Sequence, residues 1–322
     1  MAATATTIDV TRLSKSFGAV EAVSDLSFVV EPGSVTGFLG PNGAGKTTTL
    51  RMLLGLVNPT SGTATFGGVG YRDLPRPLAT VGTALEASSF HPGRTARKHL
   101  ALYATAAGID RDRVDRVLTQ VGIAEYADRR VGGYSLGMRQ RLGLAFALLG
   151  DPHVLVLDEP INGLDPEGIR WIRGFLRELA TEGRTVLVSS HLLSEVQQSV
   201  DRAIIISRGR LVYDGTLGDL EFTARVAVDA PDRGALLSAL LAAGARVDTT
   251  DQGLVVKELD ATAVGAIAHR AGVALSLLAA QQEGLESAFL ELTSAADEPG
   301  GRARGGGAHA APVPPSTEGG VS

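Results

Sequence analysis

The chain has no cysteine, which excludes disulfides, thiolate metal sites and cysteine nucleophiles together. It has no basic excess either. The formal net charge is -5 over 322 residues, which argues against nucleic acid as a partner, since phosphate binding leaves a positive footprint. Long hydrophobic runs are missing too. A membrane span needs about 20 largely apolar residues, and the apolar stretch at 234–245 is shorter and carries Ser and Gly. Residues 1–12 show no basic head followed by an apolar run, so no secretory signal is expected. Any membrane role would then run through a partner.

Apolar residues make up 44% of the chain and charged residues 20%, enough to bury a core and too little charge for general disorder. Three segments are expected. Residues 6–218 alternate strand and helix signals, the mark of an α/β domain. Runs at 35–39, 154–157, 185–189 and 203–206 are short and aliphatic or β-branched, as suits strands buried on both faces. Residues 47–56, 168–179 and 192–200 read as helices. Residues 100–108, 111–121 and 136–149 form a helix-rich stretch interrupting the strands, which implies an inserted helical subdomain.

Residues 219–295 read differently. Strands at 225–228, 246–249, 254–257 and 274–278, helices at 233–243 and 261–271, and a turn at 251–253 give the order β-α-β-β-α-β of a small ferredoxin-like unit. A last helix is expected at 286–294. From 296 to 322 Gly, Ala, Pro and Ser dominate, a composition that cannot offset its chain entropy by burial, so a disordered tail is expected.

Gly40-Pro41-Asn42-Gly43-Ala44-Gly45-Lys46-Thr47, followed by Thr48, fits the phosphate-loop pattern G-x-x-x-x-G-K-[ST] in full. Phosphate oxygens need several donors in a tight arc, which glycine-rich backbone supplies. The loop follows a strand and opens a helix, whose N-terminus adds partial positive charge. Lys46 can neutralise β- and γ-phosphates. Thr47 offers a hydroxyl to Mg²⁺, which prefers oxygen.

A second group lies at 154–159, an aliphatic strand that ends in Asp158-Glu159. Taken alone, the pair reads equally as a cap at a strand exit. Beside a phosphate loop, at the carboxyl end of a strand, it reads as a Mg²⁺-holding Asp158 and a Glu159 that acts as general base on water.

With these residues in view, the chain resembles the ABC ATPases over about residues 6–218. Tyr134-Ser135-Leu136-Gly137-Met138 is similar to the family signature Leu-Ser-Gly-Gly-Gln, keeping Ser135 and Gly137 and departing at Tyr134, Leu136 and Met138. The resemblance implies a head-to-tail dimer in the ATP-bound state, with Ser135 of one subunit facing the γ-phosphate held by the other. It implies that Asp165, in Asn162-Gly163-Leu164-Asp165, touches the opposite subunit. It implies that His191 is the switch histidine supporting Glu159 and water, and that Phe17 stacks on adenine. At Glu86 the family usually has Gln, which contacts Mg²⁺ and the attacking water and relays the ATP state to a membrane partner. A carboxylate keeps the oxygen ligand and adds negative charge near the phosphates.

Glu86, the signature variant and the stretch at 282–293 are similar to one branch, the multidrug and bacitracin-type resistance exporters, whose ATPase and permease are separate chains. The implied function is an ATP-hydrolysing subunit on the cytoplasmic membrane face that powers a separate permease, with ATP and Mg²⁺ as cofactors. The alternative is a non-transport ABC ATPase acting in translation or DNA repair. Such relatives carry paired cassettes, coiled coils or zinc-binding cysteines, features not seen in this sequence. The transported substrate and the role of residues 219–295 stay open.

Overall fold

The computed structural model describes residues 6–85, 90–192, 198–219, 225–250 and 253–281. Its centre is a six-stranded sheet of order β5-β6-β7-β3-β8-β9. The strands are β3 (Val35–Leu39), β5 (Val81–Ala84), β6 (Val154–Leu157), β7 (Thr185–Ser190), β8 (Arg202–Ser207) and β9 (Arg210–Thr216). The first five run parallel and β9 closes the sheet antiparallel to β8. Every residue of β3, β6 and β7 is buried, which explains why these strands read as unbroken aliphatic runs rather than alternating ones.

A second sheet of order β2-β1-β4 is antiparallel, built from β1 (Ile8–Phe17), β2 (Val20–Val30) and β4 (Ser61–Phe66). The sequence reading did not separate this sheet from the alternating core. Along β2 burial alternates from Ser24 to Val30, as expected of a strand with one face on the core. That core joins Ile8, Leu13, Leu26 and Phe28 to Phe38, Leu50, Val156 and Ile204, locking the antiparallel sheet and helix α1 (Lys46–Leu53) onto one face of the central sheet.

The other face carries a larger core shared with the helices. It joins Leu39, Leu155 and Val186 to residues of α3 (Ala96–Ala106), α4 (Asp112–Gln120), α5 (Leu136–Ala147) and α6 (Pro166–Thr181). A short α2 (Pro77–Thr80) leads into β5. The helices α3, α4 and α5 interrupt the strand series between β5 and β6, as the helix-rich pattern implies. Of the helix expected at 192–200, residues 193–197 lie outside the described residues.

Beyond residue 224 a four-stranded antiparallel sheet of order β11-β12-β10-β13 has its own core. Its elements are β10 (Arg225–Asp229), α7 (Arg233–Ala242), β11 (Arg246–Thr250), β12 (Gly253–Lys257), α8 (Ala261–Arg270) and β13 (Leu277–Gln281). Asp232 and Asp260 cap the two helices, accepting from the backbone N–H groups of Ala235 and Ala263. The last strand begins three residues later than the aliphatic pattern at 274 suggests. Residues 274–276 precede it, and Ser276 donates its backbone N–H to the Asp229 carbonyl. The expected helix at 286–294, the similarity at 282–293 and the tail at 296–322 lie outside the described residues.

Candidate nucleotide site

Strand order builds the site. The central sheet places β6, β7 and β3 side by side, so their carboxyl ends open on one edge of the molecule. From β3 comes the loop 40–45, from β6 the pair Asp158-Glu159, and from β7 the run Ser189-Ser190-His191.

The loop can take its path only with glycine at specific points. Gly45 has φ of +103°, and a Cβ there would stand 2.6 Å from the carbonyl oxygen of Ala22. At Gly40 a Cβ would come within 2.4 Å of the Ile206 carbonyl oxygen. Within the loop, Ala44 donates its N–H to Pro41 at 3.1 Å, closing a turn from which Asn42 and Gly43 project. Helix α1 then starts at Lys46 with no side-chain cap on its first turn, leaving that end to an external acceptor.

Lys46 is 7% exposed. Its Nζ donates to Gly40 O at 2.7 Å and Pro41 O at 3.3 Å, and lies 3.9 Å from Glu159 Oε1. Burial pushes its amine below the ordinary lysine value, with the Glu159 and Asp158 carboxylates opposing that shift. Thr47 Oγ1 donates to Asp158 Oδ2 at 3.2 Å. His191 Nδ1 lies 3.0 Å from Glu159 Oε2. Five expected residues from three segments therefore meet: Lys46, Thr47, Asp158, Glu159 and His191. Thr48 follows on the first turn of α1, partly buried.

Glu159 carries a backbone φ of +49°, in the left-handed region that non-glycine residues seldom occupy. Its N–H donates to Ser189 Oγ at 3.0 Å, and Ser189 in turn donates to Asp158 Oδ1.

Phe17 ends β1 with 53% of its surface exposed, so its ring is not part of the core. One face of the ring is covered by Lys15, whose Nζ stands 4.9 Å from the centroid and donates to Asn58 O at 2.7 Å.

Ser135 and Asp165 form a second cluster. Ser135 caps α5, accepting from Met138 N at 3.2 Å, and Asp165 caps α6, accepting from Gly168 N at 2.7 Å. The two helix starts touch: a Cβ on Gly163 would meet Leu136 Cδ2 at 2.5 Å, and one on Gly137 would meet Leu164 Cδ2 at 3.6 Å. Arg141 of α5 lies over the Trp171 ring of α6 at 3.6 Å and donates to Val121 O at 2.8 Å, tying the two helices together behind their exposed starts. Among the described residues, Ser135 accepts from the N–H groups of Met138 and Arg139, both within α5. Glu86 lies outside the described residues, directly after β5 and Leu85.

The donor set fits a nucleotide with Mg²⁺. A cation bridging phosphates takes only one or two protein carboxylates; here one carboxylate oxygen and one hydroxyl face each other, and no larger group of His, Asp or Glu suited to a metal occurs among the described residues.

Residues 23–162 match the family described as ABC transporter, and residues 224–286 match a domain of unknown function. The bacitracin transport ATP-binding protein BcrA of Bacillus licheniformis is 45% identical over 212 residues, which cover 65% of this chain and 69% of that protein. The chain belongs to the ABC transporter ATP-binding family. It is an ATP-hydrolysing subunit that powers transport, and the alternative in translation or DNA repair finds no support in these relatives. An ABC transporter ATP-binding protein of Bacillus subtilis, YdbJ, is 34% identical over 299 residues, covering 89% of the ATPase described here and 96% of its own length. The similarity to YdbJ thus runs well beyond residues 23–162. A solved structure of the ATP binding subunit of an ABC transporter aligns with a TM-score of 0.60 at 29% identity, covering 66% of this chain and 91% of that one.

Sequence reasoning missed three supports of this ATPase site. Ser189 was visible only as a polar residue ending an aliphatic run. Lys15 beside Phe17, and Arg141 against Trp171, left no signal that separates them from ordinary surface residues.

Proposed function

We propose that this ATPase binds ATP with Mg²⁺ at the edge formed by β3, β6 and β7, and hydrolyses it to drive export of an antibiotic or drug through a separate membrane protein. The observation that carries the reading is the convergence of Lys46, Thr47, Asp158, Glu159 and His191 from three strand ends. Gly40 to Gly45 and the α1 N-terminus receive the phosphates, with Lys46 as their counter-charge. Thr47 and Asp158 hold Mg²⁺, which supplies Lewis-acid stabilisation of phosphate charge when bound. Glu159 takes the proton of the attacking water, and His191 holds its carboxylate in place. Phe17 receives the adenine on the ring face opposite Lys15. Glu86 adds a further oxygen ligand near the phosphates and raises the Mg²⁺ dependence relative to Gln.

The exposed starts of α5 and α6 support a head-to-tail dimer, in which Ser135, Gly137 and Asp165 of one subunit close over ATP held by the other. Residues 6–218 form the cassette and 219–295 a small α+β unit. Among the described residues no helix is long and apolar enough to cross a membrane. The transport function in the name of the bacitracin relative supports a subunit docked on the cytoplasmic face against a permease. Nucleic acid has no part in this reading.

The test is copurification. A tagged Glu159→Gln variant held with ATP and Mg²⁺ should bring a polytopic membrane protein out of detergent-solubilised host membranes. Ribosomal or DNA-repair proteins in its place would overturn the transport reading and leave the ATPase chemistry standing.

A further inference from the structure

We infer that the Ser189 hydroxyl is a positioning group for both acids at the end of β6: it sets which oxygen of Asp158 faces Thr47, and it fixes the backbone from which Glu159 projects. The inference rests on the proposed roles of Asp158 and Glu159.

Register puts the three residues together. β6 and β7 run parallel with Leu157 opposite Val188, so the next step along each strand brings Asp158 beside Ser189. Ser189 has no solvent exposure, in a strand whose six residues are all buried. A hydroxyl in such a place is costly unless its bonds are made. It has one donor and two lone pairs. The donor goes to Asp158 Oδ1, and a lone pair takes the N–H of Glu159 at 3.0 Å.

The consequence for Asp158 is a division of labour between its oxygens. Oδ1 is held from behind by Ser189, while Oδ2 is presented to the Thr47 hydroxyl at 3.2 Å. For Glu159 the consequence lies in the main chain. Its φ of +49° is unfavourable for a residue with a side chain, so the surroundings must hold it there. The bond from its N–H to Ser189 is one such restraint, and His191, two residues along the same strand end, restrains the carboxylate at 3.0 Å. Alanine at 189 would leave a partly buried N–H and a carboxylate oxygen without this partner. Both acids would then be free to turn.

The experiment compares Ser189→Ala, Ser189→Thr and Glu159→Gln with the unmodified chain. It measures kcat, KM for ATP, and the Mg²⁺ dependence of binding for a fluorescent ATP analogue. Supporting groups behind a metal site typically carry about 10–100-fold in activity or metal affinity. Ser189→Ala should lose kcat on that scale with little change in KM, and should need more Mg²⁺ for analogue binding while Mg²⁺-free binding is unchanged. Ser189→Thr, which keeps the hydroxyl, should stay close to the unmodified chain. If Ser189→Ala does not fold, Ser189→Cys, similar in volume but a weak donor, serves for the same comparison.

Unmodified kcat and Mg²⁺ dependence in Ser189→Ala, with Glu159→Gln inactive, would overturn the inference alone. So would a Thr variant as impaired as the Ala variant, since space rather than the hydroxyl would then matter. Full hydrolysis by Glu159→Gln would instead remove the reading on which the inference rests.

Discussion

His191 Nδ1 and Glu159 Oε2 stand 3.0 Å apart, joining the end of β7 to the end of β6 across one rung of the sheet. The contact gives the imidazole a task that ATP binding alone does not need. His191→Ala should therefore leave ATP affinity near its normal value and reduce kcat by about a hundredfold or more, the scale of one lost transition-state support. Equilibrium binding beside steady-state hydrolysis separates the two effects. Equal losses in both would mean that His191 serves binding.

Phe17 carries the second prediction. Stacking of a base on an aromatic ring is worth about 1–3 kcal/mol, so Phe17→Ala should weaken ATP binding by about 5- to 150-fold. Tripolyphosphate, which lacks the base, should bind both proteins alike. Competition against a fluorescent nucleotide reads this directly. If tripolyphosphate weakens as much as ATP, Phe17 supports the loop rather than the adenine.

A third prediction concerns stability rather than catalysis. His99 of α3 is 5% exposed, packed edge-on against Phe90 and beside Tyr103 and Phe146, and its Nδ1 has no hydrogen-bond partner among the described residues. Burial, aided by the Arg94 cation, pushes its imidazole below the ordinary value of 6.5. The folded state thus gives up its proton more readily than the unfolded chain. As pH falls through 6.5 the unfolded chain gains protons first, so this group costs stability, and the cost stops growing below the depressed folded value. Denaturant melts between pH 7 and 5 should show a smaller acid loss in His99→Phe than in the unmodified chain. An identical slope would show that His99 has no part in the acid sensitivity.

Much of this site was legible before any fold was known, for physical reasons. A phosphate loop needs glycine at fixed points, and Gly40 and Gly45 are pressed against backbone carbonyl oxygens. Adjacent acids at the end of an aliphatic strand are too costly to bury without a task, so Asp158 and Glu159 stood out. His191, Ser135 and Asp165 were legible only through resemblance, because a lone His or a capping Ser or Asp has an ordinary structural use, and Ser135 and Asp165 do serve as caps.

What stayed hidden depends on register and distance. Ser189 matters because β6 and β7 align Leu157 with Val188, a pairing between segments some 30 residues apart along the chain. Arg141 meets Trp171 through helix packing, which spacing within one helix does not reveal. The β2-β1-β4 sheet escaped for a related reason: its strands are one-sided and irregular, with several register shifts along β1, so their pattern blends into the alternating core.

The most direct test separates nucleotide binding from hydrolysis in Glu159→Gln. With phosphate loop, Lys46 and Asp158 intact, the variant should bind ATP as tightly as the unmodified chain and run as a dimer on size-exclusion chromatography with ATP. Its hydrolysis should fall by about a hundredfold or more, since the base that activates water is gone. Hydrolysis at the unmodified rate would contradict the assignment of Glu159 and, with it, the account of how this site works.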